Sequence, residues 1–538
     1  AKLQLIGNAN ELCAGNAADG YARSGHHIAA GRTNPGPRVS AMFSTYGVGE
    51  LRAINALAGL YAESNPVVSL VGTPSRKAWA ARRTMRPVHH TLADGRMEVY
   101  SKMAREITCA QAKYHEFSTP IQALEAYDEA LIHCMTQLKP AYATIPCDMF
   151  DLEVRSQPLE KKLSIRLENI DAKFVDSIVT GIQSKLHSSR RPILIVDGLA
   201  YPFDLISEAR ELSQYMPSAW FTSGKGIVDE VRTSGWVETL SGPTEYSSSA
   251  DLTLMIGPLS ADTNTAAWSA IPHAPSIQFN ADNVVLDGHQ NVGSGKMVLR
   301  HLLGILQLGN RRVWMQNATS HNRTTTTSVH EHSPISQDDF WSTMSSFIDP
   351  NDTIPLAKGT PLSFGGPPPP DVQVVASSVR CSIGQMLPAA QRIALGKRCV
   401  HIPGRTILFE GDGSFQTTCQ ALSDIIRCRL NVTVFLVNNG AYTYERWLNG
   451  MEAGYNDVPA WRYVDVPEFF GAHSPDNKYP VTSARVKTMQ ELEDVRKDKR
   501  LNNGQGLKVT DVVMDPQDIP KRAKAGLLRG RDAVMSGR

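Results

Sequence analysis

Apolar and polar positions follow two different rhythms along this chain, and their succession predicts its fold. Short apolar runs at Val39 to Tyr46, Val67 to Val71 and Ala141 to Ile145 have the length and β-branched content of buried strands. Between them, Glu50 to Glu63 and Ile121 to Leu138 show the wider apolar spacing of helices. The same succession returns twice. "PILIVDG" (192 to 198), "SAWFTSGKG" (218 to 226) and "DLTLMIG" (251 to 257) predict strands of a second block, and "RTILFEGDGS" (405 to 414), "VTVFLVNNG" (432 to 440) and "LKVTDVVMD" (507 to 515) those of a third. Strands taking turns with helices are the mark of a parallel sheet covered on both faces. The predicted fold class is therefore α/β, with three doubly wound parallel-sheet domains at 1–150, 165–316 and 338–538. The stretch 317–337, rich in Thr, Ser and His, reads as a linker, and "GGPPPP" (365 to 370) as an exposed loop.

One early segment sets a question. In "GNANELCAGNAADGYAR" (7 to 23), Leu12, Gly15, Ala18 and Ala22 fall on one helix face, and a carboxylate, Glu11, sits at its tip. A charge beside a packed face needs a partner, because withdrawing it unpaired from water is costly. A helix-start dipole, a basic neighbour or a ligand would each meet that need.

Bulk properties narrow the classes. With 42% hydrophobic and 20% charged residues over 538 positions, the chain is ordinary globular protein. Its net charge of +2, with no basic block interleaved with aromatics, argues against a nucleic-acid partner. No apolar run approaches the length of a membrane span, and the start lacks a signal-peptide pattern. The eight cysteines are scattered without a CxxC pair, as expected of reduced thiols in the cytoplasm.

The chemistry concentrates in the third block. "GDGS" closes one predicted strand at Gly411, Asp412, Gly413 and Ser414, and "NN" closes the next at Asn438 and Asn439. Ligands of open parallel sheets sit beyond the carboxyl ends of the strands, so Asp412 and Asn439 are expected to face one crevice. Both offer hard oxygens. The glycines allow close approach of a phosphate, and Ser414 offers a hydroxyl at a helix start. A magnesium ion held by few protein oxygens and completed by a diphosphate fits this set. "SGKG" lacks the spacing of a phosphate loop, and no GxGxxG follows a strand at the start of any block.

With GDG followed by NN after one helix, the sequence resembles the thiamine diphosphate enzymes, and within them the 2-oxo acid decarboxylases related to fungal pyruvate decarboxylase. The resemblance spans nearly the whole chain and rests also on "GNANEL" (7 to 12), "AADGYAR" (17 to 23), "STYGVGELRAINALAG" (44 to 59), "HHTL" (89 to 92), "GKGIVDE" (224 to 230) and "NNGAYTYERWLNG" (438 to 450). It implies pyrimidine-binding, central and diphosphate-binding domains in that order. It also implies thiamine diphosphate and magnesium as cofactors, and a homodimer or homotetramer with sites shared between subunits. The implied reaction is non-oxidative decarboxylation of a small-molecule 2-oxo acid, pyruvate, with a larger aromatic 2-oxo acid or a catalytically weak paralogue as alternatives. "HHTL" separates this reading from the acetohydroxyacid-synthase-like carboligases, which lack it.

Residue by residue, the resemblance makes Glu11 the carboxylate on the aminopyrimidine, His89 and His90 a proton-handling pair, and Glu445 the acid beside the reacting carbon. Ile383 matches the wedge that bends the cofactor, Cys381 offers its carbonyl to the aminopyrimidine, and Thr360 and Ser414 are hydroxyl donors to the diphosphate. Asp412, Asn439 and the carbonyl of Ala441 are the implied magnesium ligands. Departures from the family lie at Lys358, Arg380, Cys381, Tyr444 and Trp447. Relatives also have a strand, a Gly-Asp loop and a helix before the GNxNE motif. The N-terminally short sequence is expected to leave a strand edge unpaired and the histidines without their usual carboxylate, unless Asp94 replaces it.

Overall fold

The structure, a computed structural model, describes residues 5–28, 39–82, 87–117, 119–160, 163, 172–228, 245–308, 332–364, 369, 372–473, 479–502 and 505–536. The expected linker lies outside the described residues as far as position 331, as do most of "GGPPPP" and the last two residues of "GKGIVDE". Contacts divide the chain into two compact units, Ala1–Leu167 and Glu168–Arg538.

The first unit runs α1 (Glu11–Ile28), β1 (Ser40–Thr45), α2 (Val48–Ala62), β2 (Val67–Thr73), α3 (Arg76–Ala80), α4 (Val99–Arg105), β3 (Ala110–Lys113), α5 (Pro120–Gln137) and β4 (Ala141–Pro146). Its strands form one parallel sheet in the order β1-β2-β4-β3, with β1 at an edge. Asn10 starts α1 by accepting the amide of Cys13 on its side chain at 2.9 Å, an N-cap bond. The small-residue face then packs as its spacing predicts: Ala18 and Ala22 join Met42, Ala53, Leu57 and Leu60 in one core. A Cβ on Gly15 would lie 2.5 Å from the Ala56 side chain, so glycine lets α1 and α2 close together. Glu50, in the first turn of α2, is 6% exposed. Its carboxyl accepts the Gly47 amide at 2.8 Å and the Tyr142 hydroxyl at 2.7 Å. Burial pushes its pKa up, and these two donors oppose the shift.

The second unit contains two six-stranded sheets. The first is built from α6 (Ala172–Ser188), β5 (Pro192–Val196), α7 (Ile206–Leu212), β6 (Ser218–Trp220), α8 (Glu245–Ser248), β7 (Leu252–Ile256), β8 (Ser276–Phe279), β9 (Asn283–Leu286), β10 (His289–Val292) and α9 (Gly295–Leu308). Its order is β10-β9-β8-β7-β5-β6. Strands β5 to β8 are parallel, and β9 and β10 extend that sheet antiparallel to their neighbours. The β9 to β10 pairing has a local cause. Asp287 and Gly288 both take positive φ, 54° and 77°, the two-residue turn of a tight hairpin, and no crossover helix fits so short a connection. At the end of β5 the buried Asp197 accepts the amides of Gly198 and Leu259, the Ser223 hydroxyl and the Asn264 amide, while burial raises its pKa to about 6. Lys225 of "SGKG" donates to the carbonyl of Phe364, a structural use for the only lysine of that motif.

The last sheet follows α10 (Gln337–Ser345) and comprises β11 (Thr353–Leu356), β12 (Gln373–Ala376), α11 (Met386–Cys399), β13 (Ile407–Gly411), α12 (Asp412–Thr418), α13 (Ala421–Arg427), β14 (Val432–Asn438), α14 (Thr443–Asn449), α15 (Val466–Phe469), β15 (Val481–Val486), α16 (Met489–Lys497), α17 (Lys499–Asn502), β16 (Leu507–Val513) and α18 (Lys521–Ser536). All its pairs are parallel, in the order β12-β11-β13-β14-β16-β15. Phe340, Trp341, Phe364, Phe409 and Phe435 fill the core on one face. The chain turns to β12 on one side of β11 and returns to β13 on the other. The switch point therefore opens between the carboxyl ends of β11 and β13.

Tyr142→Phe removes one of the two donors to a buried carboxyl without changing shape. It is expected to cost about 1–3 kcal/mol of stability, read as a lower midpoint of denaturant unfolding. An unchanged midpoint would show that the Tyr142 to Glu50 bond is dispensable.

Candidate active site

Asp412 and Asn439 follow directly on β13 and β14, neighbouring parallel strands in which Gly411 stands opposite Val437. Their turns are joined by one carboxyl group. Asp412, 2% exposed, accepts the Gly413 amide on one oxygen and the Gly440 amide on the other, each at 2.7 Å. Burial pushes its pKa up to about 6 against these amide bonds, so a cation at this place would favour the ionised form. The side-chain amide of Asn439 donates to Thr443 Oγ1 at 2.6 Å, and its oxygen lies 3.3 Å from the Ala441 amide. The NN pair thus divides its work. Asn438 donates to Asp511 of β16 at 2.8 Å and pins the strand, while Asn439 orders the turn.

The glycines also divide. A Cβ on Gly411 or on Gly440 would meet nothing within 4 Å, whereas one on Gly413 would lie 2.4 Å from the Tyr442 ring. Gly411 and Gly440 therefore flank open space, while Gly413 makes room for Tyr442. Ser414 is engaged within the protein on both sides. Its Oγ donates to the carboxyl of Glu410, four residues earlier in β13, and accepts the Gly384 amide at 2.8 Å. Glu410 is fully buried, and burial pushes its pKa up to about 8. Its second oxygen has no hydrogen-bond partner among the described residues.

Thr360 follows β11 across the switch point, buried, and its Oγ accepts weakly from Gln337 at 3.4 Å, which leaves its proton available. Cys381 and Ile383 lie in the loop after β12. Cys381 takes φ 52°, a left-handed conformation usual for glycine, and its thiol turns to Thr263 Oγ1 at 3.6 Å. Ile383 is 37% exposed, a large apolar side chain without full cover. On α14 the three bulky or charged candidates point apart. Tyr444 places its hydroxyl 2.7 Å from Ser363 Oγ, one turn past Thr360. Trp447 donates to the Gln517 carbonyl at 3.1 Å and lies under Lys524, 4.2 Å from its ring, so it packs on α18 and not beside Tyr444. Glu445 is exposed and accepts from Asn449 at 2.7 Å.

In the first unit, the other candidates gather on the start of α2. Gly47 has φ 64°, and a Cβ there would lie 1.9 Å from the His90 carbonyl oxygen. Two residues on, a Cβ on Gly49 would lie 3.0 Å from a carboxylate oxygen of Glu11. Glu11 is partly exposed rather than sunk in an apolar pocket, with Arg52 at 3.8 Å and itself largely in solvent. An exposed pair at that distance contributes little, so the carboxylate is free for a stronger partner. His89 and His90 are exposed, with ring centroids 4.6 Å apart. Tyr46 organises them: its hydroxyl donates to the His89 carbonyl at 3.0 Å and lies 3.2 Å from His89 Nε2. Asp94 does not support the histidines, because Arg96 holds it at 2.6 Å.

Sequence reasoning found the two strand-end turns and the histidine pair but assigned no role to Tyr46, Ser363 or Glu410. Only Glu410 left a linear signal, an acid inside the apolar run "ILFEG".

Two family models match this chain: the N-terminal binding domain of thiamine pyrophosphate enzymes over residues 1–94, and the C-terminal binding domain over 367–505. The pyruvate decarboxylase of Aspergillus parasiticus is 33% identical over 96% of this chain and 89% of its own length. Pyruvate decarboxylase isozyme 1 of Saccharomyces cerevisiae is 29% identical over 97% of this chain and 91% of its own. Among solved structures, benzoylformate decarboxylase from Polynucleobacter necessarius has the same fold, with a TM-score of 0.75 at 16% identity, over 96% of this chain and 92% of that one.

Gly47→Ala is expected to destabilise the first unit by about 1–3 kcal/mol, since the position combines a strained φ with contact against His90. Thermal unfolding checks the cost. A shift of the His90 ring signals by nuclear magnetic resonance checks that the strain reaches the pair.

Proposed function

The chain belongs to the thiamine diphosphate-dependent decarboxylases related to fungal pyruvate decarboxylase, and from that premise we propose that it cleaves pyruvate, with uptake of a proton, to acetaldehyde and carbon dioxide. The observation that supports the reading best is the Asp412 carboxyl bridging the turns after β13 and β14. The donor set suits magnesium: one carboxylate, the side-chain oxygen of Asn439 and the carbonyl of Ala441 are hard oxygens, too few for a closed cage. Among the described residues no group of three His, Cys, Asp or Glu could hold a metal by itself. Diphosphate oxygens and water would complete the shell, in the space beside Gly411 and Gly440.

Thiamine diphosphate, when bound, supplies the thiazolium ring that accepts the electron pair left as carbon dioxide departs. The protein's own groups do the rest. Thr360 would donate its hydroxyl to the diphosphate, the Cys381 carbonyl would accept from the aminopyrimidine, and Ile383 would pack against the cofactor. Glu11 would hold a proton at the pyrimidine. His89 and His90 move protons at the substrate, with Tyr46 fixing the first ring, and Glu445 stands by the reacting carbon.

The phenol of Tyr444 is tethered to Ser363, one turn past Thr360, and in this reading it stands on the substrate side of the strand ends, where it would crowd an aromatic substrate. That favours pyruvate over phenylpyruvate. The reading extends to a cytoplasmic homodimer or homotetramer in which Glu11 and His89 of one subunit complete a site with Asp412 and Glu445 of another. No helix among the described residues is long and apolar enough to cross a membrane.

Three outcomes test this. With a panel of 2-oxo acids, pyruvate is expected to give carbon dioxide and aldehyde with the highest kcat/KM, and Tyr444→Ala to move the phenylpyruvate-to-pyruvate ratio by about 10- to 200-fold, the worth of a pocket-sized misfit. A wild-type preference for phenylpyruvate would overturn the substrate. Asp412→Ala is expected to abolish the rise in melting temperature given by magnesium and thiamine diphosphate, whereas Glu11→Gln keeps most of that rise and loses turnover. Finally, mixing inactive Glu11→Gln and Glu445→Gln chains under subunit exchange is expected to restore activity, and no recovery would place each site within one chain.

A further inference from the structure

The loop after β12 carries two of the implied cofactor contacts, Cys381 and Ile383, and its two ends are held differently. At the far end Gly384 donates its amide to Ser414 Oγ at 2.8 Å and accepts the Thr418 hydroxyl at 2.7 Å, both on α12 of the same sheet. At the near end the partner comes from the other six-stranded sheet. Thr263, in the segment after β7, donates its hydroxyl to the Ser378 carbonyl, and since a carbonyl only accepts, the direction of this bond is fixed. With its proton engaged there, the Thr263 oxygen lies 3.6 Å from the Cys381 thiol, which is also 3.7 Å from the Ser377 carbonyl. The Cys381 amide donates to Ser377 Oγ at 2.9 Å. Cys381 takes φ 52°, a conformation that a residue with a side chain keeps only where its surroundings impose it. Thr263 is one of those constraints, and it comes from outside the sheet to which the loop belongs.

Thr263 is itself firmly based. Its neighbour Asn264 is fully buried and donates to Asp197 and to the Leu259 carbonyl, each at 2.8 Å, while its oxygen accepts the Ser223 amide at 2.9 Å. The segments that follow β5, β6 and β7 thus meet at Asn264 and fix the backbone from which Thr263 reaches across. We propose that Thr263 is a positioning residue for the cofactor: rooted in the sheet of β5 to β10, it holds the turn from Ser378 to Cys381 so that the Cys381 carbonyl is in place for the aminopyrimidine before the cofactor arrives. The inference rests on the reading of this crevice as a thiamine diphosphate site and concerns its pyrimidine side alone. Thr263 acts through the backbone of the turn. The diphosphate side is assigned to other residues, Asp412, Asn439 and Thr360, so the two ends of the cofactor respond differently to loss of this hydroxyl.

The test is titration calorimetry on the full chain with magnesium and two probes, thiamine diphosphate and inorganic diphosphate, a readout that needs no turnover. Thr263→Val keeps the shape of the side chain and removes its hydroxyl. It is expected to weaken thiamine diphosphate about 3- to 10-fold, the worth of one hydrogen bond, and to leave inorganic diphosphate within about twofold of wild type. Thr263→Ser retains the hydroxyl and is expected to bind both probes as wild type does. Thr263→Ala serves if the valine variant does not fold. Unchanged thiamine diphosphate binding without the hydroxyl, equal weakening of both probes, or a serine variant as weak as the valine one overturns the proposal and leaves the cofactor site standing. A wild-type protein that binds neither probe overturns the reading of the crevice and the proposal with it. If the pattern is as stated but pyruvate is not decarboxylated, the proposal stands and only the assigned reaction falls.

Discussion

A carboxyl group withdrawn from water must find donors, and in this chain that requirement shapes each turn that matters. Glu50, Asp197, Asp412 and Glu410 are all buried, and burial raises the pKa of every one. None is answered by a lysine or arginine in the bonds that hold it. Glu50 takes an amide and a phenol, Asp197 two amides, a hydroxyl and a side-chain amide, and Asp412 two amides. In the last two the carboxyl ties segments that follow different strands, so polar satisfaction and loop placement are one event. Glu410 is the exception, with a single partner, Ser414.

The same logic separates the candidate residues of the two units. On the sheet of β11 to β16, Thr360, Asp412, Ser414 and Asn439 are buried and already bonded within the protein. On the start of α2, Glu11, His89 and His90 are exposed to differing degrees, and rigidity comes from beneath them, through Gly47, Gly49 and Tyr46. A catalytic proton carrier needs access and a fixed base, and the second arrangement gives both.

Much of this was legible in the sequence where burial alone decides. The strands β1, β2, β4, β5, β7, β13, β14 and β16 are apolar runs, and each was predicted. Strands β3 ("AQAK") and β15 ("VTSARV") have no such run and are held by pairing with a neighbour, which no local pattern reports. The β9 to β10 hairpin did leave a signal, Asp-Gly directly after the run NVVL, that the parallel rhythm masked. At the site, GDG and NN declared themselves because strand ends are fixed by the sheet. The pairing of Tyr444 with Ser363 and of Tyr46 with His89 joins residues far apart in sequence, so their geometry could not be read from spacing. Trp447 shows the converse: it departs from the family close to the NN turn in sequence, and its helix face sends it to α18.

The bridge from Asp412 to Gly440 bears on time as well as on shape. Because the two turns are fastened to each other by the protein's own amides, the conformational entropy of ordering them is lost during folding, not at the encounter with a ligand. A ligand at these strand ends then needs neither of the two turns to be captured from an ensemble.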